Sequence, residues 1–176
     1  MPLDGSGDGI ELCQRLREWS SMPIIVLSAV GEEGEKVRAL RSGADDYVTK
    51  PFGPQELVAR LEAVLRRSSP EPEAGMIESN GLEVDLAAHV VRRDGEEIHL
   101  TPTEFELLRV LVRNRGRLLT HRALLTEVWG PEYGAETHYL RVHVAHIRAK
   151  LEPDPSRPRY IITEPGVGYR LRDPGS

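Results

Sequence analysis

The sequence predicts two unlike folding units in series, an incomplete parallel α/β unit followed by an α+β unit. Three observations lead there. Over residues 1–67, short β-branched apolar runs alternate with helical stripes, the pattern of a parallel sheet. The stretch Ser68-Ser-Pro-Glu-Pro-Glu-Ala-Gly75 has no apolar periodicity and two prolines, and reads as a semi-extended connector. Residues 76–173 then offer strand-like runs, three amphipathic helices and a glycine-rich hairpin. The expected boundaries are therefore 1–67, a linker over 68–75, and 76–173.

In the first unit, Asp8 is the expected cap of a helix whose Ile10, Cys13 and Leu16 fall at helical spacing. Pro23-Ile-Ile-Val-Leu-Ser28 is apolar and β-branched, which suits a central strand covered on both faces. Residues 32–42 read as a helix with Val37 and Leu40 apolar and Gly43 as its stop. Asp46-Tyr-Val-Thr49 is a second strand, followed by Lys50-Pro51-Phe52. Residues 54–67 form a helix with Leu57, Val58, Leu61 and Leu65 on one face. Two strands are few for a doubly wound sheet. An open sheet edge and unburied helix faces follow, so this unit is expected to be loose or to swap with another chain.

In the second unit, Leu82-Glu-Val-Asp-Leu86 alternates, and Val90-Val-Arg-Arg93 runs into Asp94-Gly95, a strong hairpin signal. A helix follows to about Asn114, with Thr103 as its expected N-cap and Phe105, Leu108, Leu111 and Val112 as its stripe. Thr120 caps another helix, with Leu124, Leu125 and Val128, ending near Trp129-Gly130. Residues 137–152 make a third. Tyr160-Ile-Ile-Thr163 and Tyr169-Arg-Leu171 flank a closing hairpin over 164–168. Strands, three helices and a hairpin, in that order, make a winged helix.

Composition bounds the function. The 176 residues are 39% apolar and 29% charged, an ordinary globular balance. No run of about 18 apolar residues suggests a membrane helix. Residues 1–10 lack the cations and apolar stretch of a signal peptide. The single cysteine, Cys13, forms no internal disulfide and fits a cytoplasmic setting. The net charge of −5 is unevenly spread. Residues 109–122 hold five arginines and no acid, and residues 137–151 hold Arg141, Arg148, Lys150 and three histidines, again with no acid.

On the helix over 137–152, Leu140, Val144, Ile147 and Leu151 share the core face. Near the opposite pole lie His138, Val142, Ala145, His146 and Ala149, with Arg141 and Arg148 on one flank and Lys150 on the other. Small apolar residues between cations suit a major groove: the cations reach base edges or phosphates, and Val142 and Ala145 fit a thymine methyl. Arg122, in the first turn of the preceding helix, and Arg113, Arg115, Arg117, Thr163 and Tyr169 are candidate phosphate contacts. His143 and His146 are spaced like metal ligands, but no cysteine or carboxylate completes a set, so no metal or cofactor is expected. No nucleophile–base pair points to an enzyme. Ser28 and Lys50 end the two strands of the first unit, where a hydroxyl and an ammonium can meet a phosphoryl group, or be an ordinary strand-end serine and surface lysine.

Pro23-Ile-Ile-Val-Leu-Ser-Ala29, Gly43-Ala-Asp-Asp-Tyr-Val-Thr-Lys-Pro-Phe52, Leu100-Thr-Pro-Thr-Glu-Phe-Glu-Leu-Leu108 and Gly166-Val-Gly-Tyr-Arg170 resemble two-component response regulators with an OmpR/PhoB-type winged helix. Val128-Trp-Gly130 and Val142-His-Val-Ala-His-Ile-Arg-Ala-Lys-Leu151 agree. The resemblance implies a flavodoxin-like receiver lacking its first three strands, with Ser28 as switch hydroxyl, Lys50 as phosphate-binding lysine and Tyr47 as switch aromatic. It implies a dimer through the helix 32–42, strand 46–49 and helix 54–67 face, with Lys36 pairing Glu56 and Asp46 pairing Arg60 across a symmetric interface. It also implies promoter DNA, RNA polymerase and a sensor histidine kinase as partners. Glu18-Trp-Ser-Ser21, His138-Tyr-Leu-Arg-Val142 and residues 152–158 are most similar to the branch of the family that controls potassium-transport genes.

Two departures stand out. Met1-Pro2 is similar to the dipeptide just after the phospho-accepting aspartate, which would lie upstream together with the acidic pair for magnesium. Asp4 and Asp8 do not replace them. Pro165 stands at the wing and cannot place a cation in the minor groove. The competing reading is a phosphorylation-independent protein-interaction module, meeting RNA polymerase through residues 130–136.

Overall fold

A computed structural model describes residues 8–29, 31–68 and 74–172. The expected loop residue Asp4, the side chain of Asp8 and most of the connector lie outside the described residues. The first unit runs α1 (Asp8–Arg17), β1 (Ile25–Ser28), α2 (Glu33–Arg41), β2 (Asp46–Thr49) and α3 (Pro54–Ser68). Strands β1 and β2 are parallel, with Ile25 opposite Asp46 and Ser28 opposite Thr49. Cys13, Ala39, Ala44 and Tyr47 form a small core against them.

Two faces of this unit are open among the described residues. β1 is not covered on both faces as its composition predicts: Leu27 is 43% exposed. β2 is the only neighbour it pairs with, so one edge and part of one face meet no described element. On α3, Val58, Leu61 and Leu65 are likewise exposed, while Ala63, Val64 and Arg67 turn inward. The helix carries two unlike faces, and the more polar one is the one that packs.

The second unit opens with a four-stranded antiparallel sheet of β3 (Met76–Ser79), β4 (Leu82–Asp85), β5 (Val90–Arg93) and β6 (Glu96–Ile98). Asp94 and Gly95 take φ of 51° and 84°, the left-handed pair a tight hairpin needs. β3 and β6 escape sequence reading because Met-Ile-Glu-Ser and Glu-Glu-Ile are short and polar; only pairing makes them strands.

Three helices follow, α4 (Pro102–Arg113), α5 (His121–Val128) and α6 (Thr137–Leu151), with a 3₁₀ turn at Pro131–Tyr133. Their predicted stripes are all buried. The cap of α4 is a correction: Thr101, not Thr103, accepts the Glu104 N–H at 3.3 Å, and Glu104 returns a bond to the Thr101 N–H at 2.9 Å. Strands β8 (Ile161–Glu164) and β9 (Gly168–Leu171) form the wing, and β9 also pairs with a short strand β7 (Leu119–Thr120). Gly168 permits that pairing, since a Cβ there would run into the Leu119 carbonyl.

The two units share one core. Leu40 of α2 is fully buried within the cluster formed by α4, α5 and α6, and Val37 packs against it. Burying a leucine contributes about 1.5–3 kcal/mol. The first unit is therefore docked on the second, with α2 lying along α6.

Candidate nucleic-acid interface

The docking of α2 on α6 divides the expected groove face in two. Arg141, Ala145 and Ala149 are exposed, on one continuous side of α6. Arg122, at the start of α5, is exposed too, in a helix capped by Thr120 accepting the Ala123 N–H at 3.1 Å. The opposite flank is occupied. Val142, expected at the centre of the groove face, is only 6% exposed. His146 is half-buried, and its Nε2–H donates to the Arg41 carbonyl of α2 at 3.1 Å.

Other expected contacts are engaged inside the chain. Lys150 is drawn to Glu104 at 2.6 Å, because the α4 capping box holds that carboxylate beside it. Tyr169 is buried rather than on the wing surface, with the Arg148 guanidinium 5.8 Å from its ring centre. Arg148 donates to the Ile161 carbonyl and the Thr163 hydroxyl, each at 2.7 Å, so it braces β8 against α6. Thr163 stays exposed. His138 stands 3.4 Å from Glu136. Arg113, Arg115 and Arg117 are exposed around the α4–β7 turn.

The seam between the units is built on two neighbouring carboxylates at the start of β2. Asp46 is 0% exposed. Its oxygens accept from Arg60 at 2.9 Å, from the Tyr139 hydroxyl at 2.5 Å and from the Tyr133 hydroxyl. Asp46 and Arg60, expected to pair across a dimer, pair here within one chain, and Arg60 also reaches Glu56 at 3.4 Å. Burial opposes the Arg60 charge most strongly of any single cause, but Asp46, Tyr133, Tyr139 and Glu56 together outweigh it and hold the guanidinium above its ordinary range. Burial and then the Asp46 charge push both tyrosines above theirs, which keeps them as donors. Tyr133 belongs to the 130–136 segment expected to meet a partner, yet here it faces inward.

Sequence reading assigned no role to Tyr133, Tyr139 or His143. His143 is buried against Trp129, with ring centres 5.1 Å apart, and its Nδ1–H donates to the Tyr139 carbonyl at 2.8 Å. Burial pushes its imidazole below the ordinary range, and His146 shifts the same way. The folded state thus prefers both rings neutral. The stability they contribute is present above about pH 6.5 and is lost as the pH falls below that value and the unfolded chain takes up protons first. Urea unfolding at pH 5.5 should show a lower midpoint than at pH 7.5, and His143→Gln should shrink the difference to the share left by His146. An equal slope in that variant would show His143 is not its source.

In the first unit, Ser28 and Lys50 meet at the carboxyl ends of β1 and β2, and the Lys50 N–H donates to the Ser28 carbonyl at 2.7 Å. Lys50 is exposed and Tyr47 is buried. Among the described residues no three His, Cys, Asp or Glu side chains are placed to hold a metal ion. Among them, too, no helix is long and apolar enough to cross a membrane.

A parallel α/β unit ending in a serine and a lysine, docked on a winged helix, defines a receiver-controlled DNA-binding regulator. Family models agree: the response regulator receiver domain matches residues 1–62, and the C-terminal domain of transcriptional regulatory proteins matches residues 95–171. The chain belongs to the OmpR/PhoB family of two-component response regulators, and is a transcription regulator rather than an enzyme. It is 54% identical to the KDP operon transcriptional regulatory protein KdpE of Escherichia coli K12, over 94% of this chain and 74% of that one. It is 47% identical to the DNA-binding response regulator MtrA of Mycolicibacterium smegmatis, over 95% and 73%. The crystal structure of DrrB, a Thermotoga maritima OmpR/PhoB homolog, superposes with a TM-score of 0.52 at 35% identity, over 98% of this chain and 76% of that one.

Proposed function

We propose that the chain is a cytoplasmic regulator that binds promoter DNA through the Arg141–Ala145–Ala149 side of α6, with Arg122 and the wing on the flanking phosphates. The likeness to KdpE favours potassium-transport genes as targets and a sensor kinase as the source of the signal. The observation that carries the reading is the exposed strip of α6: a cation beside two alanines, on a helix whose other side is core. Such a strip enters a major groove without clash and leaves Arg141 to reach a base edge.

The docked arrangement adds a gate. Val142 and His146 join the DNA face only when α2 leaves α6. A symmetric dimer through Lys36, Glu56, Asp46 and Arg60 draws on the same Asp46 that Tyr133 and Tyr139 hold. Release and dimerisation then favour one another. Pro131, Glu132 and Ala135 are exposed beside the seam and form the proposed contact for RNA polymerase.

The test is a gel-shift series on tandem or inverted half-sites about one helical turn apart. Arg141→Ala should cost about 1–3 kcal/mol of affinity for the preferred site and blunt discrimination at one base pair. Binding that is equal for promoter and random DNA, or unchanged in Arg141→Ala, contradicts the reading.

A further inference from the structure

The wing carries only two charged side chains, and they cancel. Arg170 of β9 donates to Glu164 of β8 at 2.5 Å. Between them the turn Pro165-Gly166-Val167 has no ionisable or hydrogen-bonding side chain. All three residues are exposed, Val167 at 44%. The hairpin is set beside α6 by Arg148, which donates to the Ile161 carbonyl and the Thr163 hydroxyl of β8. Arg148 and Arg141 are seven residues apart, two helical turns, so the wing stands on the flank of α6 that carries Arg141.

The tip is also held in place. Pro165 and Gly166 occupy the two central positions of a four-residue turn, which the Val167 N–H closes on the Glu164 carbonyl at 3.0 Å. Gly166 takes φ of 74°, the positive value that a Pro-Gly turn requires at its third position. The Val167 carbonyl accepts the His121 N–H at 3.0 Å, which ties the tip to the start of α5 beside the exposed Arg122. A fixed, uncharged, apolar edge is thus anchored to both helices proposed to meet DNA.

We propose, resting on the DNA-binding reading above, that Val167 is a specificity-determining residue: it lies in the minor groove at the flank of the site and selects A·T over G·C pairs there. The selection works by shape rather than charge. A·T pairs leave the groove floor smooth, with acceptors only, whereas the 2-amino group of G projects into it. The isopropyl edge of Val167 fits the first floor and packs on the sugars beside it. Against the second it crowds the amino group and strips water from an N–H donor that it cannot satisfy. Because the tip carries no cation, this selection adds nothing to the salt dependence of binding.

The experiment uses the full chain and the duplex preferred in the gel-shift series. Each pair flanking the half-sites is set in turn to A·T, G·C and I·C; inosine keeps the major-groove pattern of guanosine but lacks the 2-amino group. At one or more flanking positions G·C should bind about tenfold more weakly than A·T, and I·C should recover to within about twofold of it. Val167→Ala should shrink the G·C penalty there to about threefold, and Val167→Asn, whose amide oxygen can accept from the amino group, should remove it. The slope of log affinity against log salt should stay unchanged in Val167→Ala and fall by about one in Arg122→Ala. The side chain of Val167 is exposed, so its variants should melt with wild type, and the inosine arm needs no variant. Equal penalties for G·C and I·C, no flanking penalty at all, or the full wild-type penalty in Val167→Ala overturns the proposal while leaving the DNA-binding reading intact. Binding indifferent both to sequence and to Arg141→Ala removes both.

Discussion

Replacing Asp46 with Ala is expected to lower the stability of the docked chain by about 3–5 kcal/mol and, at the same time, to raise its affinity for DNA. The loss is large because the partners stay behind. Arg60, Tyr133 and Tyr139 all aim donors at this one carboxylate, and it has no exposure to water. Without it, two buried hydroxyls lack their acceptor and the Arg60 guanidinium keeps only Glu56 at 3.4 Å and the Tyr133 hydroxyl at 3.1 Å. The gain in DNA affinity follows because Tyr139 sits on α6 and Tyr133 just before it, so the same bonds that close the seam hold the helix against α2. Asp46→Asn should cost less, since one oxygen remains to accept. Tyr139→Phe should cost about 1.5–3 kcal/mol, as one bond to a charged acceptor. Urea unfolding and gel shifts on the same preparations check both signs. A destabilised Asp46→Ala chain with unchanged DNA affinity would show that the seam supports the fold but does not gate α6.

The second large effect is expected at Glu152, just past the end of α6. Its carboxylate is buried and accepts three backbone N–H groups, from Arg159 at 2.7 Å, Tyr160 at 2.8 Å and Ile161 at 2.9 Å. It thereby fixes the entry of the chain into β8 and the wing. Glu152→Ala orphans at least the Tyr160 and Ile161 donors, which are buried, at about 1–3 kcal/mol each. A total loss of about 3–5 kcal/mol should appear in thermal unfolding. Glu152→Gln keeps one carbonyl oxygen in place and should recover roughly half of it. The wing carries Thr163, so DNA affinity should fall in the alanine variant as well. A loss below about 1 kcal/mol would show that water replaces the carboxylate without strain.

Much of this was legible in the sequence, and the misses have a common origin. The stripes of α4, α5 and α6 were read correctly, and so was the Asp94-Gly95 turn, because each depends on spacing within a few residues. The cap of α4 was not. Thr101 and Thr103 each have a glutamate three residues on, Glu104 and Glu106, so the capping pattern occurs twice. What separates them is that Thr103 is engaged by Asp45 and Arg67, far away in the chain. Tyr169 was placed outward by the same local logic and is buried instead, while Lys150 stays exposed as expected but is tied to the distant Glu104 carboxylate.

By itself the sequence determined the family, the order of elements, the core face of each helix and the basic strip at Arg141. All of these rest on composition and short-range periodicity, which the backbone geometry of helices and strands imposes directly. Only the tertiary structure decided which part of the outer face of α6 stays open, and that Asp46 belongs to a seam within the chain. Those outcomes rest on bonds between residues 87 to 105 positions apart, such as Asp46 with Tyr133 and Arg41 with His146. No periodicity along the chain encodes such contacts; they exist because burying Leu40 and Val37 of α2 on the winged-helix core brings the polar groups around them within reach.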